Sequence, residues 1–315
     1  MDIVVTTFES VAVLLGIGLI GFYIIKKGVL PARIISVLSP LALEVALPSL
    51  IFARIITTFS PEKYPDWWQL PVWWLVFTFF TACLTFVFMH FSNKAFREEF
   101  SISLFFQNAI FFPLAIITGM FPNEPSYIVY LIFFTILYPP LFFSTFQLFF
   151  RRPGSLKINY RKIFHPVLFA TIIALIISYF PNYEVPMFIV TIFTALGAMT
   201  IPLIMIILGG NIYLDFRDAG SLNWLEMFKF VIVKNFIFPL FFLIFLFYFR
   251  SIIPFYIALI IVIQSAVPPL TAVPLVTERA RGNRGIVNQF IVSSFIVSLF
   301  SIPLMIYFFS LIYDF

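Results

Sequence analysis

Uncharged apolar runs, each about as long as a membrane-crossing helix, follow one another along almost the whole chain. A bilayer core of roughly 30 Å needs about 20 such residues per helix. Hydrophobic residues make up 62% of the 315 residues and charged residues only 10%, against about 25% charged in a soluble domain. Barrel strands are shorter and alternate apolar with polar residues. The chain is therefore predicted to be an all-α integral membrane protein, embedded in the lipid bilayer.

The apolar runs divide into ten predicted transmembrane helices. They cover residues 4–25, 32–57, 68–91, 101–120, 126–150, 163–181, 185–211, 225–249, 253–276 and 285–312. Fourteen of the 19 Lys and Arg residues fall in loops on one side of this arrangement, and three fall on the other. Cytoplasmic loops carry the excess of Lys and Arg. We therefore expect a multi-pass protein of the cell (plasma) membrane with both termini extracellular. The net charge of +5 reflects these loops, so no nucleic-acid partner is predicted.

Two pairs of segments resemble each other at nearly the same separation. Helix two has A-L-P-S-L-I around Pro48 and helix seven has T-I-P-L-I-M around Pro202, 154 residues later. Gln107 in helix four is matched by Gln264 in helix nine, 157 residues later. The common separation indicates a duplicated five-helix unit, and an odd number of spans places the two copies in opposite orientations, as in many secondary transporters.

The predicted domains follow from this duplication. Residues 1–150 form the first repeat, residues 151–162 a cytoplasmic linker, and residues 163–315 the second, inverted repeat. Helices four and nine are the unusual members, because both carry polar amides near mid-membrane with prolines shortly after. Pro113 follows the first pair of amides, and Pro268 and Pro269 follow the second. Proline removes a backbone donor, so both helices are predicted to be broken crossover helices.

The polar side chains beside these breaks are the candidate substrate contacts. Asn108 and Gln264 come first, because an amide can donate to a carboxylate and accept from a hydroxyl. Gln107 and Ser265 are weaker candidates, and Gln107 is expected to face elsewhere on its helix. The alternative for all of them is a structural role, in which their side chains hydrogen-bond one helix to another. The prolines themselves, Pro113 with Pro268 and Pro269, are assigned to the same site because they expose backbone groups to a ligand.

Two charged residues lie inside predicted spans, where charge is expensive and usually functional. Glu44, in helix two, is a candidate for proton coupling. Lys234, about ten residues into helix eight, could hold the carboxylate of an anionic substrate. A structural ion pair between Glu44 and Lys234 is the alternative.

Signatures of other protein classes are missing from the sequence. There is no phosphate-binding G-x-x-x-x-G-K-[ST] loop and no H-E-x-x-H or G-x-S-x-G motif. Neither His90 nor His165 belongs to a cluster with metal-ligand spacing. We therefore predict no enzymatic activity, no cofactor and no bound metal.

Five stretches together resemble the auxin efflux carrier family, which includes plant PIN transporters and prokaryotic members, some described as malonate or malate permeases. They are A-L-P-S-L-I-F after Glu44, F-F-Q-N-A-I-F-F-P in helix four, H-P-V-L-F-A in helix six, I-P-L-I-M-I-I-L-G-G in helix seven and S-A-V-P-P-L-T-A in helix nine. The likeness runs over nearly the whole chain.

This resemblance implies two inverted five-helix repeats, with a scaffold of helices 1, 2, 6 and 7 and a transport domain of helices 3–5 and 8–10. It implies an elevator-like motion and a homodimer, and it assigns Asn108 to the substrate carboxylate. Two features depart from the family. Asn108-Ala109-Ile110 stands where members commonly have Asn-x-Gly, and the long cytoplasmic loop of plant PINs is missing. Auxin as the substrate does not carry over.

The sequence therefore predicts a secondary transporter that moves a small organic anion, whether an auxin-like carboxylate or a dicarboxylate, by elevator-type alternating access. A non-transporting membrane receptor or sensor and a channel stay open as alternatives. Coupling to protons, to sodium or to no ion is left open as well.

Overall fold

The computed structural model describes residues 3–150, 166–180, 184–218 and 222–313, and this part of the chain is helical with one isolated β-bridge. We number its helices α1 to α14. They are α1 Ile3–Lys26, α2 Ile34–Thr58, α3 Gln69–Phe88, α4 Arg97–Phe105, α5 Phe111–Met120, α6 Ser126–Phe134, α7 Tyr138–Thr145, α8 Pro166–Ser178, α9 Met187–Ala198, α10 Thr200–Asp218, α11 Trp224–Phe249, α12 Phe255–Ala266, α13 Val273–Arg279 and α14 Arg284–Tyr313.

Six helical stretches are long and apolar enough to cross a membrane. They are α1, α2, α3, α9 with α10, α11 and α14, and four shorter apolar helices fall within the remaining predicted segments. The all-helical membrane class is confirmed. The count of ten spans and the inverted repeat stay predictions. The predicted linker 151–162 and His165 lie outside the described residues.

Some predicted helix limits are wrong, and prolines account for the clearest case. The fifth predicted helix is interrupted between α6 and α7, where Pro139 and Pro140 occupy the first turn of α7. Proline is tolerated there because first-turn N–H groups have no intrahelical partner. The ninth predicted helix extends beyond residue 276 to Arg279, and the fourth begins earlier, at Arg97.

The helix ends collect at two opposite faces of the molecule. The basic face holds the loops 27–33, 92–96 and 280–283, and side-chain bonds tie it together. These bonds join Glu99 to the backbone N–H of Asn283, Ser92 to Glu226, and the backbone N–H of Asn223 to Gln289. The opposite face is tied by Tyr64–Ser126, Trp67–Tyr179 and Tyr313–Ile253. Successive long helices therefore run in alternating directions.

Two long helices each contain one widened, π-helical turn, and a proline explains both. The turn Leu41–Ala46 in α2 precedes Pro48, and the turn Ile232–Ile237 in α11 precedes Pro239. A proline ring clashes with the carbonyl four residues earlier and offers it no N–H. Widening the turn relieves that clash, and such turns are frequent at functional sites. The two turns contain Glu44 and Lys234.

Two groups of helices pack among themselves, and α1 joins them, because it also packs on α5 and α14. In the first, α1 packs along α10 and α2 packs against α8 and α9. The approach of α1 to α10 is so close that a methyl group on Gly209 would overlap the carbonyl oxygen of Gly18. In the second group, α11, α12 and α14 pack together with α4. A cavity lies between the groups.

Candidate functional site

Two interrupted helices meet in the interior of the molecule. The first interruption separates α4 from α5 and the second separates α12 from α13. At the second, Val267 has an extended backbone (φ −72°, ψ 151°), because the residue before a proline is driven out of the helical region. Phe106 is likewise extended at the first (φ −92°, ψ 95°). We call residues 106–110 and 267–272 the two breaks.

The breaks cross each other and satisfy part of each other's backbone. The N–H of Asn108 donates to the carbonyl of Pro268 at 2.8 Å, and the N–H of Leu270 donates to the carbonyl of Phe106 at 2.8 Å. Gln107 and Pro269 are thereby paired as in an antiparallel sheet. Irregular backbone at membrane depth needs such partners, since no water is present to supply them.

Two of the predicted contact residues are engaged with the protein itself. Gln264 donates to the carbonyl of Ala109 at 2.6 Å and accepts from Gln107 Nε2 at 3.4 Å. The carbonyl of Gln107 accepts from the hydroxyl of Tyr138. Both glutamines therefore hold the crossing together in this conformation. Gln107, expected to face elsewhere on its helix than Asn108, bonds to Gln264 of α12, whereas Asn108 bonds to the N–H of Phe111.

Asn108 has a side-chain hydrogen-bond donor that no described residue accepts from. Its Oδ1 accepts from the N–H of Phe111 at 3.2 Å and so caps the first turn of α5. Its side chain is 0% exposed, and its Nδ2 has no hydrogen-bond partner among the described residues. A buried amide nitrogen without a partner costs free energy unless a ligand or water satisfies it.

The remaining predicted site residues of the two interrupted helices are buried beside the crossing. Pro113 lies in the first turn of α5, after the break rather than within it. The hydroxyl of Ser265 donates to the carbonyl of Val262 one turn earlier. Pro268 and Pro269 form part of the second break, and the carbonyl of Pro268 is the acceptor already described.

A cavity of about 700 Å³ leads from the basic face toward the crossing. Its inner end is lined by Phe111, at the start of α5, and by Thr271 and Ala272 of the second break. Asn108 does not line it, although its side chain bonds to the N–H of Phe111. The cavity walls come from α2 and α10 on one side and from α13 and α14 on the other.

The polar lining of this cavity includes residues that the sequence did not single out. Glu44 is exposed there, and Arg279 and Arg284 are exposed near the basic face. Arg284 pairs with Glu278 at 2.8 Å, whereas Arg279 has no described partner. Asn211 and Asn288 add two amides, and the other polar lining residues carry hydroxyls: Ser36, Ser39 and Thr271. A polar residue within an apolar helix was the available signal for both asparagines.

Glu44 and Lys234 do not form the ion pair that was considered as an alternative. Glu44 faces the cavity, while Lys234 is buried to 1% exposure and its ammonium lies 5.3 Å from the centre of the Phe238 ring. No ion pair or hydrogen bond connects Lys234 to any residue that the structure describes.

A comparison with protein families identifies the group to which this site belongs. A family model described as a membrane transport protein matches residues 6–306. The chain belongs to the auxin efflux carrier family. A comparison with curated proteins finds no match. The predicted family is therefore confirmed over nearly the whole chain, and its members are transporters rather than enzymes.

Family membership makes this a multi-pass membrane transporter, and it places the crossed breaks and their cavity in a protein that moves a solute. Among the described residues, no three His, Cys, Asp or Glu side chains lie close enough together to hold a metal ion. The polar groups that face the cavity are two guanidinium groups, one carboxylate, and the amides and hydroxyls of α2, α10, α13 and α14.

Proposed function

We propose that this protein is a secondary transporter of a small organic anion, with its substrate site at the crossed breaks. The observation that carries the proposal is the cavity of about 700 Å³, which runs from exposed Arg279 and Arg284 to the start of α5. Just beyond that point lies Asn108 Nδ2, a buried donor without a described partner.

The chemistry of this path favours an anion with an apolar body. Guanidinium groups at the entrance attract carboxylates and can bind them in a bidentate manner. At the inner end, the N-terminus of α5 contributes a positive partial charge that stabilises a negative group. Between the two ends, Ile35, Ile204 and Leu208 line an apolar wall. An auxin-like monocarboxylate or a dicarboxylate fits this combination.

Alternating access is favoured over a channel because the path ends at the crossing. Phe106, Asn108, Gln264 and Val267 are each 0% exposed. Aromatic pairs pack between the crossing and the opposite face, including Tyr130 stacked on Tyr256 at 4.3 Å and Phe121 stacked on Tyr127 at 4.1 Å.

The cavity lies between α2 and α10 on one side and α5, α13 and α14 on the other. Movement of the group that holds the breaks against the group that holds α1, α2 and α10 would carry the site toward the opposite face. This is the elevator-type motion that we propose, with the two five-helix repeats as its inverted halves.

Glu44 is our candidate for proton coupling. It belongs to the widened turn of α2 and faces the same cavity, and no described residue pairs with it. If Glu44 exchanges a proton during transport, Glu44→Gln removes the pH dependence of uptake into proteoliposomes. An unchanged pH dependence in that variant rejects the assignment.

We propose a plasma-membrane location with the basic face in the cytoplasm, because cytoplasmic loops carry the excess of Lys and Arg. The start of α1 and the end of α14 lie at the opposite face, so this proposal makes both termini extracellular. The homodimer rests on the family resemblance. Labelling of single cysteines introduced on the two faces tests the orientation, and cross-linking in native membranes tests the dimer.

The test of function is a thermal-stability screen of the purified protein against mono- and dicarboxylates and their neutral amides. A ligand that binds the native state raises the apparent melting temperature. We expect one class of acid to stabilise the wild type and to lose its effect with Asn108→Ala. Asn123→Ala is the matched control, because Asn123 is exposed in the turn between α5 and α6.

Saturable uptake of the stabilising acid into proteoliposomes then separates a transporter from a receptor, which binds without flux. Flux that rises linearly with concentration, far above carrier rates, favours the channel. If amides stabilise the protein as well as acids do, the organic-anion assignment fails.

A further inference from the structure

Lys234 is the most anomalous charged group in the described part of the chain. It belongs to the widened turn of α11, is 1% exposed, and has its ammonium group 5.3 Å from the centre of the Phe238 ring. Lysine at membrane depth normally reaches the interface or pairs with an acid. Lys229, five residues earlier, does this by bonding to Glu226 at 2.7 Å.

No compensating acid is found on the helices that pack around Lys234. The widened turn packs on α12 and α14, and Val233 and Phe238 form a cluster with Phe100 of α4. Helix α12 contains no charged residue, and α14 contains only Arg284, at its first position. The acids of α4 lie in its first turn, where Glu99 bonds to the N–H of Asn283.

Lys234 and the crossed breaks both lie in the middle of the molecule's depth. It is ten residues after Trp224, which corresponds to about 15 Å from the basic end of α11 at 1.5 Å per residue. The end of α12, at Ala266, is about 16 Å from the opposite face by the same measure. Helix α11 has 26 residues and is about 39 Å long. The end of α12 therefore lies about 23 Å from the basic end, about 8 Å from the depth of Lys234, and both depths fall in the middle third of that length. The turn that holds Lys234 also packs directly on α12.

We propose that Lys234 supplies the counter-charge for the transported anion, acting through the low-dielectric interior rather than by contact. This inference rests on the proposed function. A buried cation without a partner destabilises the ligand-free protein. The same cation attracts an anion at the crossing strongly, because no water screens the two charges. Lys234 is thus a specificity-determining residue that separates a charged substrate from its neutral analogue.

The experiment measures thermal stability of the wild type, Lys234→Met and Lys234→Arg with acetate, malonate, succinate and benzoate, and with the corresponding amides. Methionine keeps the length of the side chain and removes the charge. Lys229→Met is the matched control, because it removes a lysine of the same helix that is already paired.

Without ligand, Lys234→Met should melt at the wild-type temperature or about 2 °C higher, because an uncompensated charge is removed. Its apparent affinity for the stabilising acid should fall at least tenfold, while its response to the amides stays unchanged. Lys234→Arg should keep the preference for acids, and Lys229→Met should not alter it.

Two results overturn the counter-charge role while leaving the anion function intact. One is a lowered melting temperature of ligand-free Lys234→Met, as expected of a lysine with a structural partner. The other is an unchanged affinity of that variant for the acid. If the wild type responds to acids no more than to amides, the proposed function fails, and the role of Lys234 fails with it.

Discussion

The two breaks reach the same crossing by different chemistry. In the first, α4 ends at Phe105 and Asn108 caps the start of α5 by accepting from the N–H of Phe111, and its proline lies beyond the break, in α5. In the second, Pro268 and Pro269 lie in the break itself, where neither can donate to a helix. The first break is therefore held by a side chain, and the second is imposed by the backbone.

Because of this difference, the side-chain donor without a described partner lies in the first break. A proline pair keeps its backbone irregular whether or not a ligand is present, and it offers no side-chain donor. Asn108 uses one side-chain atom for structure and leaves the other free. The crossing thus combines a rigid half with a half that can respond to a ligand.

The largest effect is expected where the backbone imposes the break. The double variant Pro268→Ala with Pro269→Ala removes the obstacle to continuing α12, so we expect ligand-induced stabilisation and uptake to fall about a hundredfold or more. Pro113→Ala is the control, because Pro113 occupies a first-turn position that most residues tolerate. If the double variant still transports near the wild-type rate, the proline pair does not shape the site.

The two glutamines are expected to differ although they occupy matching positions. Gln264→Leu leaves the carbonyl of Ala109 and the amide of Gln107 without their partner, and unsatisfied buried groups cost about 1–3 kcal/mol each. Gln107→Leu leaves one buried group, Gln264 Oε1, without its partner rather than two, and that bond is long at 3.4 Å, so the loss should be about 1 kcal/mol. Unfolding in denaturing detergent measures both losses, and equal losses would show that the two breaks are equivalent.

Asn108→Asp separates the two roles of the first break. The carboxylate keeps the acceptor that caps α5, and the positive end of that helix offsets part of the cost of burying a charge at this 0% exposed position, so stability should fall by about 1–3 kcal/mol. The donor Nδ2 is lost, so binding of an acid should fall about tenfold. Melting temperatures with and without the acid report both quantities, and retained binding would remove Asn108 from the site.

The smallest effect is expected at Ser265. Among the described residues, its hydroxyl bonds to the carbonyl of Val262 in its own helix and to no other group, so Ser265→Ala should cost about 0.5–1 kcal/mol and leave binding as it is. A larger loss of binding would mean that the second break contributes a side-chain donor in another conformation.

Much of the architecture was readable from the residues in order. Length and composition of the apolar runs determined the helical membrane class, and the amides with their prolines located both interruptions. The matched positions of Gln107 and Gln264 anticipated that the two interruptions belong together. The family assignment also followed from motifs and is confirmed over residues 6–306.

Only the tertiary structure decided which residues line the cavity and which polar groups have hydrogen-bond partners. Helices that are apolar all round carry no stripe that shows which face meets which neighbour, so the sequence could not place Arg279 or Asn288 in one cavity with Glu44. It could not distinguish Gln264, whose amide donates to the carbonyl of Ala109 in the opposite break, from Asn108, whose amide nitrogen has no described partner. Nor could it show that Glu44 and Lys234 remain apart. Those distinctions depend on distances between segments far apart in the chain, which are set by how the helices pack rather than by the residues of any one helix.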